Sequence, residues 1–167
     1  MGVKYKTVVD KLPEVAETLH TLSKRSVKVG ALQGGHAWLA GIHEYGCNIP
    51  VTPKMRAFLH RQGLHLKDST THIKIPERSF IRTGHDENVE RVLEQTERAI
   101  GQVILGKMSI DDVLDLYGQQ MATAIKTYMR DLSKPANHPY TTEQKGSSNP
   151  LIDTGGLVES ITWEKGR

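Results

Sequence analysis

The longest amphipathic pattern in the chain is SIDDVLDLYGQQMATAIKTYMRDL, residues 109–132. Its apolar residues recur at every third or fourth position, which is the period of a helix with one buried face: Ile110, Val113, Leu114, Tyr117, Met121, Ala124, Ile125, Tyr128, Met129 and Leu132. Ser109 and Asp112 resemble a capping box, with Asp in the position that Glu usually occupies. The sequence therefore predicts that the longest helix of the chain begins after Ser109 and buries its apolar face.

A second long helix is predicted immediately before it, over residues 89–103. Its apolar positions are also three and four apart: Val89, Val92, Leu93, Ala99, Ile100 and Val103. Asp86 or Thr83 can cap its first turn, and Gly106 can end it.

Toward the N-terminus the pattern changes twice. Residues 12–22 have helical spacing, and residues 26–31 alternate between apolar and polar as a strand does. The two glycines at residues 34–35 predict a turn. Residues 38–45 then predict a short helix, which Gly46 can end with a left-handed backbone conformation.

Proline fixes two segments in the middle of the chain. Residues 49–53 and 76–82 are predicted to be extended, because proline restricts its own backbone and that of the preceding residue. Residues 72–75 alternate like a short strand. The apolar positions of residues 55–66 fit either a helix or a ribbon that turns at Gly63, and the pattern does not decide between them.

A polar segment, residues 133–149, follows the longest helix. It is rich in proline, glycine and serine, and a loop of this length is more typical of a functional or mobile segment than of a tight connection. The chain then closes with one helical turn, which Asp153 or Thr154 can cap, and a strand through Ile161 and Trp163.

These elements predict an α+β fold, with a small mixed or antiparallel sheet and two long helices packed on one face. The 167 residues fit a single domain, residues 1–167, and exclude an enzyme with separate cofactor and substrate lobes. With 37% hydrophobic and 25% charged residues, the chain has the composition of a globular protein.

Charge and cysteine content narrow the function classes. A net charge of +3, spread along the chain, is too weak to predict DNA binding. No apolar run approaches the ~20 residues that cross a bilayer, and the N-terminus lacks the apolar region of a signal peptide, so we expect a soluble, unanchored protein. Cys47 is the single cysteine, which excludes an intrachain disulfide and fits a reducing compartment.

Few residues form a pattern that catalysis would need. His43 and Glu44 begin like a zinc-protease helix, but Cys47 stands where the second histidine is required, and Gly46 would end the helix first. Asp111 and Asp112 lie in a first helical turn, where the macrodipole favours negative charge. We therefore expect no catalytic residue, no metal and no cofactor.

Two other classes stay open. A metal- or thiol-dependent enzyme would require His43, Glu44 and Cys47 to converge. A DNA-binding accessory protein would require the basic residues to share one surface, and the N-terminal third is the candidate: Lys4, Lys6, Lys24, Arg25 and Lys28.

Two motifs stand on either side of the two long helices. The first is AGIHEYG at residues 40–46 followed by IPERSFIR at residues 75–82. The second is PLIDTG at residues 150–155, followed by Leu157, Ser160 and Ile161. In this order, and with the two long helices between them, the motifs resemble a family of tailed-bacteriophage virion morphogenesis proteins, known as tail-completion, head–tail joining or tail-terminator proteins.

The chain departs from the family pattern at two places. Residues 51–74 form an inserted segment between the two halves of the first motif, which shorter members join directly. Gly156 stands where a longer polar residue is common. The domain is thus expected to carry an insertion at residues 51–74 and a flexible loop at residues 133–149.

The resemblance implies a structural virion protein. It would complete or cap the tail and join it to the head-neck by forming a ring around the DNA channel. The ring is a hexamer in tail-terminator members. A head-completion (stopper) or neck collar role is the alternative within the same family.

The resemblance also implies partners and a location. The partners would be further copies of the chain, the tail-tube protein, and portal, neck adaptor or stopper proteins. DNA would pass through the lumen without sequence-specific binding, and no membrane would be involved. The protein would lie in the virion, at the neck and the top of the tail, and in the host cytoplasm during assembly.

Five residues of these motifs are candidates for an assembly interface. In an extended segment Arg78, Phe80 and Arg82 fall on one face, so that two cations flank an apolar anchor. Pro76 preorders this segment, which lowers the entropic cost of docking it. Asp153 and Thr154 of the second motif complete the set. The same pattern also fits a structure in which Phe80 is in the core and both arginines are solvated.

Overall fold

A computed structural model describes residues 11–167, so that Lys4 and Lys6 of the basic N-terminal third lie outside it. Helices and strands alternate up to β3, and five consecutive helices then precede the last strand: α1 Leu12–Ser23, β1 Ser26–Ala31, α2 Gly34–Tyr45, β2 Cys47–Pro50, α3 Pro53–Arg61, β3 His72–Ile75, α4 Phe80–Asp86, α5 Val89–Ile104, α6 Ile110–Asp131, α7 Pro139–Lys145, α8 Gly156–Glu159 and β4 Ile161–Gly166. The predicted α+β fold class is confirmed.

The strands form two separate antiparallel ribbons of two strands each. In the first, β1 pairs with β4, so that Ala31 lies opposite Ile161. In the second, β2 pairs with β3, so that Pro50 lies opposite His72. Helix α6 packs on the β1–β4 ribbon, and α5 packs on α6.

Helix α6 organises the core, as its sequence pattern predicts. Met121, Ile125 and Met129 on its apolar face are all less than 2% exposed and pack with Phe80 and Ile161. The predicted capping box is present. The Ser109 hydroxyl accepts from Asp112 N at 3.1 Å, and the Asp112 carboxylate accepts from Ser109 N at 3.0 Å. Such a cap stabilises a helix by about 1 kcal/mol.

The extended conformation predicted for residues 76–82 is wrong from Phe80 onward, because α4 begins there. The Glu44 carboxylate, from α2, accepts hydrogen bonds from the first free N–H groups of α4. The predicted caps of α5 are also wrong. Thr83 and Asp86 lie within α4, and α5 begins after Asn88 without a side-chain cap.

Residues 47–75 form an arm, made of the β2–β3 ribbon with α3 and a loop between the strands. The helical alternative for residues 55–66 is thus correct up to Arg61, and Gly63 turns the chain with a φ of 85°. Arg56 donates to three main-chain carbonyls of the following loop and so holds it against α3. Within the described chain, β2, β3 and α3 form no extensive contact with other elements.

Residues 133–149 are more regular than predicted. They include α7, and Asn149 ties their end to the rest of the fold. The Asn149 amide donates to the carbonyls of Met129, Arg130 and Leu132 at the end of α6. Its carbonyl oxygen accepts from the main-chain N–H groups of Leu151 and Ile152. The mobility expected of this loop stays a prediction.

The structure differs from the prediction at two glycine positions. Helix α2 begins at Gly34, so residues 34–35 form the first turn of a helix and not the predicted turn between elements. The final helical turn, α8, follows Gly155, whose φ is 89°, and neither Asp153 nor Thr154 caps it with a side-chain hydrogen bond. The predicted end of α2 at Gly46 is confirmed, but Gly46 combines a φ of 70° with a ψ of 172°, so the left-handed helical conformation predicted for it is not present.

Candidate functional site

The site is built around Glu44, a carboxylate that is only 3% exposed. It lies in the last turn of α2. Its Oε2 accepts from Ile81 N at 2.9 Å, and its Oε1 accepts from Arg82 N at 3.0 Å and from Arg82 Nε at 2.9 Å. A buried charge is tolerated only when it is paired and hydrogen-bonded, and Glu44 meets both conditions. Glu44 therefore joins the two halves of the first motif.

Arg82 gathers three neighbours on the surface side of this carboxylate. Its Nη2 donates to the Glu44 main-chain oxygen at 3.1 Å and to Glu77 Oε1 at 2.6 Å. Its guanidinium carbon lies 4.9 Å from the centre of the Tyr45 ring, which is a cation–π geometry. The two carboxylates raise the pKa of Arg82, so its charge is fixed at every physiological pH.

Arg78 is buried, at 4% exposed, although it forms no ion pair with a carboxylate of residues 11–167. Its Nε donates to Pro135 O at 2.9 Å, and its Nη2 donates to Ala136 O at 3.3 Å and to Asn137 Oδ1 at 3.1 Å. Its Nη1 lies 3.3 Å from His43 Nδ1. These contacts fasten residues 135–137 to the first motif.

His43 is held neutral by this arrangement. Arginine can only donate, so His43 Nδ1 accepts and the ring proton of the neutral imidazole is on Nε2. Burial, with the positive charges of Arg78 and Lys145, lowers the pKa of His43 from 6.5 to about 4. A histidine in this state is a hydrogen-bond acceptor within the fold and not a proton shuttle at neutral pH.

Gly46 permits the close approach of the two halves of the motif. A Cβ at this position would lie 2.9 Å from both Glu77 N and Ile75 O. Its positive φ also disfavours any other residue. The HEYG sequence of the first motif therefore has a structural reason at each of its four positions: His43, Glu44, Tyr45 and Gly46.

The two motifs meet at a surface cleft of about 290 Å³. His43 of the first motif and Asp153 and Thr154 of the second line it, with Lys145 of α7. The Lys145 ammonium donates to Asn149 O at 2.8 Å, and burial lowers its pKa while Asp153 acts against that shift. Asn137 Nδ2, also beside the cleft, is buried without an acceptor among the described residues. The cleft thus presents charges of both signs and an unused donor.

The structure places the predicted interface residues in two different settings. Phe80 is 0% exposed and Arg78 is 4% exposed, so the argument that they form an exposed anchor and its flanking cation is overturned. Phe80 is in the core, as the alternative hypothesis predicted. That hypothesis also had both arginines in solvent, but Arg78 and Arg82 donate hydrogen bonds within the fold. The Arg82 side chain is half-exposed, and Asp153 and Thr154 are exposed. These three remain available to a partner.

The three residues that an enzyme would need do not converge. The Glu44 carboxylate is directed to α4, His43 is bonded to Arg78, and Cys47 lies in β2. Among residues 11–167 there is no group of three or more His, Cys, Asp or Glu side chains placed to hold a metal ion. None of the helices in that range is long and apolar enough to span a bilayer.

Sequence reasoning missed Lys145, Asn137 and Asn149. They lie in a polar segment without periodicity, and their role depends on contacts with residues far away in the chain. The one available signal was Asn149 itself, which stands directly before the PLIDTG motif.

Comparison of this chain with protein-family models, with curated proteins and with solved structures found no match.

Proposed function

We propose that this protein is a structural subunit of a tailed-phage virion, which completes the tail and joins it to the head-neck as a ring around the DNA channel. The observation that carries the proposal is the meeting of the two motifs. Residues 40–46, 75–82 and 150–155 are far apart in the chain, yet they are hydrogen-bonded together or line one cleft. The segments on which the family resemblance depends therefore act as one structural unit.

The chemistry of this unit favours assembly over catalysis. Glu44, Arg78 and His43 use their polar atoms to hold loops and a helix end in place. Such a network rigidifies a fold and fixes the positions of the surfaces around it. A subunit that must present its surfaces in one geometry to several neighbours needs this property.

Exposed aromatic side chains support the same proposal. Trp38 is 72% exposed, Tyr45 is 69% exposed and Phe58 is 53% exposed. Aromatic residues are enriched at protein interfaces, where they supply large contact areas at low entropic cost. The partners we propose are further copies of the chain in a hexameric ring, the tail-tube protein, and portal, adaptor or stopper proteins. DNA passes through the lumen without sequence-specific binding.

The test is loss of the protein during infection, read by electron microscopy of the lysate. A phage that carries a conditional stop codon in this gene is expected to give DNA-filled heads and separate tails, and no joined virions. Tails of uncontrolled length would assign the cap of the tail tube, because an uncapped polymer continues to grow. Empty heads would assign the stopper, because an unplugged head releases its DNA. Normal infectious virions without the protein would overturn the proposal.

A further inference from the structure

The arm carries the positive charge of the molecule. Residues 47–75 contain five Lys and Arg residues and one acidic residue, Asp68, which gives the arm a net charge of +4. The rest of the chain then has 17 basic and 18 acidic residues, a net charge of −1. None of the arm cations forms an ion pair within the described residues, and Arg56 alone is used to hold the arm together.

One face of α3 combines these cations with an apolar side chain. Lys54, Phe58 and Arg61 are spaced i, i+4 and i+7, so they lie along one side of the helix. All three are exposed, and Phe58 keeps 53% of its surface in solvent. Helix α3 has no buried residue and no extensive contact with another element of residues 11–167, so nothing in that range covers this face.

A face of α5 has the opposite charge and the same spacing. Glu90, Leu93, Glu94 and Glu97 are spaced i, i+3, i+4 and i+7, all four are exposed, and Leu93 is 46% exposed. The glutamates form no ion pair within the described residues. Two arginines, Arg91 and Arg98, lie on the same helix, and Arg91 donates a hydrogen bond to the Asn88 side chain.

The two faces match each other in length as well as in charge. Lys54 and Arg61 are seven residues apart, as are Glu90 and Glu97, so each pair spans about 10.5 Å along its helix. Phe58 lies between the two cations, and Leu93 lies between the two anions. Two helices laid side by side would pair both charges and bury both apolar side chains.

We infer that the α3 face of one copy docks on the α5 face of a second copy of this chain. The contact joins two different patches, so it is heterologous and propagates from copy to copy until the ring closes. The inference rests on the proposed function for the closure of the ring. It is favoured over a nucleic acid on the arm because a nucleic acid would leave the matched acidic face unused.

A contact of one helix face is small and therefore weak by itself. We expect association that depends on concentration, and a ring that gains stability because each copy is held on two sides. The charges are exposed, so added salt is expected to weaken the contact.

Light scattering and sedimentation velocity of the purified full chain test the inference. The arm variant carries Lys54→Glu and Arg61→Glu, and the face variant carries Glu90→Lys and Glu97→Lys. Each variant alone is expected to associate at least tenfold more weakly than the unaltered chain. Mixed in equal amounts they are expected to associate again, because each supplies the partner that the other needs. Circular dichroism of each variant checks that it is folded.

The matched control carries Lys67→Glu and Lys74→Glu, the same charge change on the arm outside α3, and is expected to associate as the unaltered chain does. An unaltered chain that stays monomeric at millimolar concentration would overturn the inference, and so would a mixture that does not associate. Loss of retention on duplex DNA by the arm variant, with unchanged self-association, would assign the arm to nucleic acid instead. None of these results alters the depletion phenotype, so the proposed function stands or fails separately.

Discussion

At the scale of single residues, Glu44 is the side chain on which the first motif depends. It is buried, charged and bonded to two N–H groups of α4 and to the Arg82 side chain. Replacing one oxygen of a buried carboxylate with an NH2 group leaves a partner N–H facing another donor, and this is costly even when the shape is kept. The Glu44 carboxylate therefore satisfies two N–H groups in the first turn of α4.

Glu44→Gln is therefore expected to lower the free energy of unfolding by about 2 kcal/mol, because the amide keeps the shape of the carboxylate and loses its charge. Urea unfolding measures the change. Glu77→Gln is the matched control, since Glu77 also accepts from Arg82 but its side chain is 55% exposed. The control is expected to cost less than about 0.5 kcal/mol. Equal losses in the two variants would contradict the role given to Glu44.

His43 gives the molecule a dependence on pH. Its pKa is about 4 in the folded protein and 6.5 when unperturbed, so the unfolded chain binds a proton first as the pH falls. Stability from this residue is complete above about pH 6.5, falls between pH 6.5 and 4, and is constant below that. Because the ring is only partly buried, we expect the free energy of unfolding to fall by about 1–2 kcal/mol, which is less than the full pKa shift would give.

Urea unfolding at several pH values between 7.5 and 4 measures this loss. His43→Asn keeps an acceptor for Arg78 and cannot be protonated in this range, so its stability is expected to fall less over the same interval. Parallel curves for the variant and the unaltered chain would show that His43 is not the group responsible.

At the scale of elements, the prediction from sequence succeeded where structure follows from local periodicity. Helices α1, α5 and α6 and strands β1 and β3 repeat their apolar residues over their whole length, and β4 does so at Ile161 and Trp163, so neighbouring residues were sufficient to predict them. Helix α4 was missed because its N-terminal partner, Glu44, lies 37 residues earlier than Ile81. The packing of Trp163 on α6 was also beyond local signals, for the same reason.

The contact between β4 and α6 is expected to reverse the usual effect of a glycine substitution. Gly118 lies in the middle of α6, where Ala is intrinsically favoured by about 1 kcal/mol. Yet a Cβ there would overlap the Trp163 indole, so Gly118→Ala is expected to lower the melting temperature. Gly101→Ala is the control, because Gly101 lies within α5 and a Cβ there meets nothing within 4 Å.

Gly101→Ala is expected to leave the melting temperature unchanged or to raise it. Near-ultraviolet circular dichroism of the Gly118→Ala variant should also show a displaced indole. A melting temperature that rises in both variants would contradict the packing of Trp163 against α6.

In the molecule as a whole, the arm (residues 47–75) forms no extensive contact with the other elements of the described chain, which together we call the body. The α+β class could be predicted because it depends on the number and kind of elements. The division into two ribbons could not, because strand pairing joins residues up to 140 positions apart, as between Ser26 and Gly166. Of the candidate site, sequence identified the motif residues His43, Glu44, Arg78 and Arg82 but not the contacts among them, and it could not decide whether Phe80 lies at an interface or in the core.

The separation of the arm predicts that the body is stable without it. A chain in which residues 51–71 are replaced by Asn-Gly keeps Pro50 opposite His72 and closes the β2–β3 ribbon with a two-residue turn. We expect its melting temperature to stay within about 4 °C of the unaltered chain, which corresponds to about 1 kcal/mol. A loss of cooperative unfolding would show that the arm is part of the core.

If this chain is the structural subunit of the phage neck that we propose, it lies at the junction of head and tail in the finished virion. Purified virions, labelled with a gold-conjugated antibody against the protein, are imaged by electron microscopy. We expect one site of labelling per particle, at the junction of head and tail. Virions that carry no label, while the protein is abundant in the infected cell, would contradict it.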